Sequence, residues 1–407
     1  MTSCNLVALV NRMVDFRLNA DEQKSIERLT AFLDAEVVPH QERYAQLARH
    51  EGNVIMADGR LAPELIELSR KIRRKSAAEG FYAMHMPAEV GGGGMRRVAT
   101  LEANREVFRR GLGFTLSVLA SIEGPSRMLL ALPEAQREKF LTPLIRGEKT
   151  TCFALTEPGA GSDVRGIEAT ARLDGDAWVL NGTKVFITNG PYADFACVFA
   201  KTSDDEMGGI STFIVEKDTP GFTVVETMET IANNGLPAHL RFEDCRIPKE
   251  NIIGDVGEGF WHALTNINDI RMQLGGQCLG LSEFCLDRTV KYVTQRKAFG
   301  KPVSKFQGVS FPLADCKTEL TAAHMLSLYA AWKIDQDEDA IMETSMTKLY
   351  CSEVLWNVAD RCVQAMGAQG VLRENEIERI LRWARVMRIW EGSSEIQRQT
   401  IAKMMGL

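Results

Sequence analysis

The 407-residue chain has no apolar run near the ~18 residues that a membrane-spanning helix requires; its longest, around Leu112 to Ile122, is short and flanked by charges. It has no excess of positive charge. The net charge of -6 gives no basic footprint, which argues against a nucleic-acid partner. Aromatic residues make up only 7%. None of the nine cysteines falls in a CxxC pair, and the six histidines form no ligand spacing with them. That pattern argues against a metal site, and it fits reduced thiols in a cytoplasmic protein better than a disulfide scaffold. The first twelve residues, MTSCNLVALVNR, lack the positive-then-apolar-then-small order of a signal peptide. Residues 1–14 are expected to be an extension ahead of the first domain.

What is present is a change of periodicity, twice. Residues 15–150 carry apolar positions at three-to-four spacing, as in LNADEQKSIERLTAFLDAEVVPHQERY, with Asn19 or Asp21 as N-cap. From Thr150 the pattern alternates: TARLDGDAWVLNGTKVFITNG reads as strands with hairpin turns at Asp174-Gly175 and Asn181-Gly182. From Gly259 helical spacing returns, with a break or bend expected near Gly275-Gly276 in the first long helix. The expected class is α+β. It comprises an N-terminal α-helical domain (15–150), a middle β domain (151–258) and a C-terminal α-helical domain (259–407). RKIRRK at Arg70–Lys75 reads as a solvated helix face, the Trp and Met residues as core fillers, and Cys245 as a packed strand residue.

Two stretches could carry chemistry. In CFALTEPGAGSD (152–163), Gly159 and Gly161 permit positive φ and close approach of backbone amides to a ligand, with the Thr156 and Ser162 hydroxyls at either end. An ordinary loop between strands stands beside that reading. It is not a Rossmann fingerprint, because no strand–GxGxxG–helix unit surrounds it. The second stretch is RIWEGSSEIQ. Ser394 and Gln397 have the spacing of a capping box, so a helix should begin after Ser394 and leave Glu391 in a tight loop after Trp390. A carboxylate beside Trp and Ile would be partly desolvated, which raises its pKa and makes it a better base. An exposed loop glutamate with only Trp390 buried is the alternative.

Four separated stretches, CFALTEPGAGSD, GTKVFITNG, QRKAFGKPVSKFQ and WEGSSEIQR, resemble the acyl-CoA dehydrogenase flavoprotein family in sequence and order. The likeness covers the chain from residue 15. It implies a middle domain that is β-barrel-like, a C-terminal four-helix bundle, FAD as cofactor, an acyl-CoA substrate, electron-transfer flavoprotein as electron acceptor, and a homotetramer built from dimers.

The resemblance also implies roles. Phe153, Leu155, Thr156, Gly161 and Ser162 would lie along the flavin, with Ser162 also reaching the CoA part of the substrate. Phe186, Ile187 and Thr188 would flank the isoalloxazine, with Thr188 near N5; Phe186 stands where many members carry Trp. Arg296, Lys297, Ala298, Phe306, Gln307 and the run Gln364, Ala365, Met366, Gly367 and Ala368 would approach the FAD of a neighbouring subunit. Ser393, Ser394 and Glu395 would close over FAD. Asn268 and Arg271 would lie beside the acyl-CoA channel. Glu391 matches the family's catalytic base, and Gly392 its backbone neighbour at the thioester.

The chain also departs from the family pattern. Ile270 occupies the position where some relatives place the base on the long helix. RWAR replaces the common RDAR at Arg382–Arg385, and GAQG replaces a GGNG-like turn at Gly367–Gly370. The expected activity is α,β-dehydrogenation of an acyl-CoA to the trans-2-enoyl-CoA. The alternatives are an acyl-CoA oxidase or other oxygen-using flavoprotein of the same fold, and a non-catalytic acyl-CoA- or flavin-binding protein.

Overall fold

The computed structural model describes residues 14–205, 209–232 and 235–407; the expected extension before residue 14 lies outside them. Helices α1 (Ala20–Phe32), α2 (Val38–Leu47), α3 (Pro63–Ala78) and α4 (Arg97–Phe108) come first. Asn19 caps α1. Its side chain accepts from Glu22 N at 2.9 Å while the Glu22 carboxylate accepts from Asn19 N at 2.9 Å, a reciprocal box that selects Asn19 over Asp21 as the cap.

The middle of the chain forms β1 (Thr151–Ala154), β2 (Thr170–Asp174), β3 (Ala177–Thr188), β4 (Phe195–Lys201), β5 (Ile210–Glu216), β6 (Phe222–Thr227), β7 (Pro237–Pro248) and β8 (Ile252–Ile253). They build one sheet in the order β6-β7-β3-β2-β4-β5-β8, with β1 added in parallel to β4. The sequence FACVFA in β4 does not alternate because both faces are covered. Ala196, Val198 and Ala200 pack inside the β domain with Trp178, Phe213 and Leu240. Phe195, Cys197 and Phe199 pack against Met86, Leu129 and Phe140 of the N-terminal helical region.

The expected turns need one correction. Asp174 pairs with Ala177 across a hairpin at Gly175 (φ 66°). Asn181-Gly182 is not a turn; it lies inside β3, where the register against β7 shifts between Leu180 and Gly182. The shift is a bulge. Gly182 has φ 147°, and a Cβ there would come within 2.5 Å of Ala169 Cβ. Asn181 and Asp244 clip it, with Asp244 N donating to Asn181 Oδ1 at 2.8 Å.

Beyond the sheet come α5 (Gly259–Gln295), a two-stranded hairpin β9 (Lys297–Ala298) and β10 (Lys301–Pro302), then α6 (Gln307–Asp335), α7 (Ile341–Met366), α8 (Glu376–Met387) and α9 (Ser394–Met404). Helix α7 packs against α5, α6, α8 and α9. The expected break at Gly275-Gly276 does not occur; α5 runs through it. These glycines bring helices together instead. A Cβ on Gly276 would meet Leu101 O at 2.7 Å, one on Gly280 would meet Arg105 O at 2.3 Å, and one on Gly275 would meet Thr347 Cγ2 at 2.7 Å. The propensity cost of about 0.5–1 kcal/mol per glycine is offset by close packing of α4 and α7 on α5.

RKIRRK also differs from its expected solvated face. Ile72 lies in the core, and Arg73 is buried with its Nε donating to Gly147 O at 2.9 Å. Cys245 is packed in its strand, as read from the sequence. Among the described residues no helix is long and apolar enough to cross a membrane.

Candidate active site

Glu391 sits in the turn between α8 and α9. The turn needs two left-handed residues in succession, Glu391 at φ 53° and Gly392 at φ 85°. The second favours glycine: its φ of 85° strains any L side chain, and a Cβ there would also push on Gln397 Nε2 and an Arg271 guanidinium nitrogen, 2.6 and 2.9 Å away. The first is a glutamate in a conformation that disfavours bulky side chains, so surrounding bonds must impose it. They can be named. Arg271 Nε donates to Glu391 O at 3.2 Å. Gln397 Nε2 donates to Gly392 O at 2.9 Å. Lys348 Nζ, from α7, donates to Gly392 O at 2.7 Å.

The capping box read from Ser394 and Gln397 is corrected here. The N-cap is Ser393, whose side chain accepts from Ile396 N. Ser394 instead donates its hydroxyl to Glu353 Oε1 of α7 at 2.7 Å. Gln397 is free to hold the turn because its side chain is not engaged in a cap.

Glu391 is partly buried, and that burial raises its carboxyl pKa above the usual carboxylate value; the positive charges of Arg271 and Lys348 oppose the rise. Lys348 is itself pushed down to about 8, chiefly by burial. Arg271 is oriented by a bond from Nη1 to Asn268 Oδ1 at 3.0 Å. Replacing Lys348 by Met should lower turnover about tenfold to a hundredfold by loosening the turn. Removing a positive neighbour also raises the Glu391 pKa, so the acid limb of the kcat/KM–pH profile should move to higher pH. An unmoved limb would show that Lys348 does not act on Glu391.

Glu391 opens into a cavity of about 200 Å³, which Trp390, Ile270, Leu274, Thr188, Leu112 and Phe114 also line. Trp390 stands edge-on to Trp383 at 5.0 Å, which fixes the wall beside the carboxyl. The cavity also reaches Arg73 and Glu123. Burial raises the Glu123 pKa to about 7. A carboxyl whose folded pKa exceeds its unfolded one stabilises the fold at low pH and loses that contribution as pH rises, here between 4.5 and about 7. Glu123→Gln should therefore melt increasingly above the parent as pH rises through that window. A constant difference in thermal melts at pH 5 and pH 8 would contradict it.

The other sequence-predicted residues fall into two groups. Phe153 and Leu155 are buried in the sheet core, Phe153 against Phe199 at 4.7 Å, so only their backbones can face a ligand. Thr156 follows, its carbonyl accepting from Val185 N at 2.9 Å. Gly159 and Gly161 do not have positive φ, contrary to expectation; what they leave is open space, with no atom within 4 Å of a Cβ. Ser162 is exposed beside them.

Under this loop lies an ion pair that sequence reasoning missed. Glu157 accepts from buried Lys184 Nζ at 2.6 Å and from the backbone N–H groups of Glu168 and Ala169 at 2.5 and 3.0 Å. Lys184 leads along β3 to Phe186, Ile187 and Thr188. Ile187 is buried, Thr188 lines the Glu391 cavity, and Phe186 is 59% exposed at φ 57°. A strained, displayed aromatic ring beside an open glycine loop fits a planar flavin ring.

The second group is distant within one chain. Arg296, Lys297 and Ala298 follow α5, 25 residues beyond Arg271, which is roughly 37 Å along a helix. Phe306 and Gln307 open α6. Gln364 to Ala368 end α7, with Gln364 16 residues past Lys348, roughly 24 Å. Ser393, Ser394 and Glu395 belong to the Glu391 turn and the start of α9.

Family models match along most of the chain. The acyl-CoA dehydrogenase N-terminal, middle and C-terminal domain models match residues 19–148, 152–245 and 257–406. The chain is 40% identical over 334 residues to the human mitochondrial short-chain specific acyl-CoA dehydrogenase, covering 81% of each chain. It is 37% identical over 346 residues to a subunit of the caffeyl-CoA reductase-Etf complex of Acetobacterium woodii, covering 83% of this chain and 90% of that one. The solved butyryl-CoA dehydrogenase of Megasphaera elsdenii superposes with a TM-score of 0.84 at 30% identity, covering 97% of this chain and 100% of that one. The chain therefore belongs to the acyl-CoA dehydrogenase family of FAD-dependent oxidoreductases.

Proposed function

We propose that the protein oxidises an acyl-CoA thioester to the trans-2-enoyl-CoA, with Glu391 taking the α-proton. The observation that carries this reading is a desolvated carboxyl in a bonded left-handed turn at the wall of an acyl-sized cavity. Burial keeps the base strong, and Arg271 and Lys348 keep enough of it ionised to act. A backbone N–H of the Glu391–Gly392 turn would donate to the thioester carbonyl, where enolate charge develops. Apolar walls exclude water from the α-carbon. FAD, when bound, would supply the hydride acceptor, at its N5, for the β-hydrogen. The segments Phe153–Ser162 and Phe186–Thr188 would hold its ring, and Ser393–Glu395 would close over it. Ser162 and Asn268 would meet the CoA side.

Arg296 and Gln364 lie far along their helices from Arg271 and Lys348, which supports assigning the FAD contacts of Arg296–Ala298, Phe306–Gln307 and Gln364–Ala368 to a second copy in a homotetramer. Phe299, 94% exposed beside Arg296, and exposed Phe311 support that assembly. Arg296→Ala should lose FAD on gel filtration; full retention would remove this anchor from the proposal. The name of the Acetobacterium relative supports electron-transfer flavoprotein as acceptor, and the human and Megasphaera names support a short acyl chain. We place the protein in the cytoplasm and its domains at 15–150, 151–258 and 259–407.

The test is anaerobic mixing of the yellow protein with a panel of acyl-CoAs. Bleaching of the oxidised flavin band by one subset is expected. No bleaching by any thioester, with FAD bound, would overturn the reading.

A further inference from the structure

The cavity that Glu391 lines carries a second, chemically different pair of charged groups. Its apolar lining includes Leu65, Leu112, Phe114, Ile122, Ile270 and Leu274. Arg73 and Glu123 line it too, as does Arg70 of α3. The two carboxyls have different charged neighbours. The charges felt by Glu391 are Arg271 and Lys348, whereas that felt by Glu123 is Arg73. Arg73 is 8% exposed and lines the cavity; its Nε donates to the Gly147 carbonyl, and its two terminal nitrogens make no hydrogen bond among the described residues. Arg70 is exposed and only loosely paired with Glu67, at 3.7 Å. The fully buried Tyr82 hydroxyl, within electrostatic range of both Glu123 and Arg73, has no partner.

A buried guanidinium is costly without a counter-ion. Glu123 is a poor one, because burial leaves it partly protonated near neutral pH. We propose that Arg73 receives a carboxylate at the far end of the acyl group, so that the substrate class is the CoA monothioester of a short dicarboxylic acid. This rests on the acyl-CoA reading of the same cavity. The apolar middle accepts the methylene chain, and Arg73 supplies the geometry for a two-point contact with the terminal carboxylate. A protonated Glu123 can donate a further hydrogen bond to it.

The test uses the FAD-loaded protein and two CoA thioethers of equal chain length, one ending in a carboxylate and one in a methyl group. Thioethers cannot be dehydrogenated as thioesters are, so calorimetric binding is read apart from turnover. The carboxylate form should bind tenfold or more tighter. Arg73→Met should bring the ratio of the two affinities close to one, and Glu123→Gln, with binding read about one pH unit above the Glu123 pKa of about 7 so that the parent carboxyl is ionised, should raise it by removing a competing negative charge. A parent ratio at or below one, or a ratio that survives Arg73→Met, overturns the proposal. If Arg73→Met does not fold, an unchanged or lowered ratio in Glu123→Gln overturns it. A phenol-ended thioether that outbinds the carboxylate form does so as well. Tight binding of the carboxylate form with no flavin bleaching by the corresponding thioester would leave the anionic end standing and count against the dehydrogenase reading instead.

Discussion

Glu391→Gln should bind FAD and acyl-CoA but reduce its flavin about 10²- to 10⁴-fold more slowly than the parent, the range expected for loss of a positioned general base. The amide is isosteric, and the turn is held by backbone carbonyls through Arg271, Gln397 and Lys348, none of which needs the carboxyl. Stability should not fall. The folded pKa of Glu391 is raised, so its ionisation opposes folding progressively as pH rises above its ordinary value of 4.5. At neutral pH the Gln variant should melt at or above the parent. Stopped-flow bleaching decides the point: reduction at the parental rate would mean that another group takes the proton. Ile270 cannot, and neighbouring Asp269 is held by Arg97 at 2.6 Å.

Lys184→Met should be the most destabilising single change in the middle domain. Lys184 is wholly buried and Glu157 nearly so, and their ion pair carries the loop that precedes Gly159. Removing one partner leaves a buried charge and costs about 3–5 kcal/mol. Lys184 also donates to Leu155 O at 2.9 Å, so the loss should reach the proposed flavin-facing backbone. The expected result is a lower melting temperature together with weaker FAD retention. The double variant Glu157→Gln with Lys184→Met should recover part of the loss, because the orphaned charge is gone. A single variant that melts with the parent and keeps its flavin would show that the pair is not needed to hold the loop.

The order of helices, strands and helices was legible because each rests on a local period, and the cap of α1 was narrowed to Asn19 or Asp21, of which the structure uses Asn19. Glycine was read less well. Its local meaning is a turn or a break, yet Gly276 and Gly280 serve contacts with α4 that lie far away in sequence. The same limit hid Lys348, Glu157 and Lys184, whose partners are separated by 27 to 44 residues. One signal was available for Lys348. Thr344, Thr347, Cys351 and Leu355 place it on the buried stripe of α7, where a lone lysine must have an acceptor. Glu391 was singled out by its neighbours on either side, but only the family resemblance gave it the role of base; the residues that bend its backbone were visible only in three dimensions.

Strand β4, covered on both faces, decides how the molecule comes apart. Its backbone is paired along both edges, with β1 and β2 on one side and β5 on the other. One face belongs to a core shared with the helices before it. Its amide protons should exchange with deuterium only when the N-terminal helices and the sheet open together. The unit of cooperative opening then crosses the boundary drawn from periodicity. A middle segment cut out at residue 151 would expose Phe195 and Phe199 and aggregate rather than fold alone, so this chain divides in sequence at a place where it does not divide in stability.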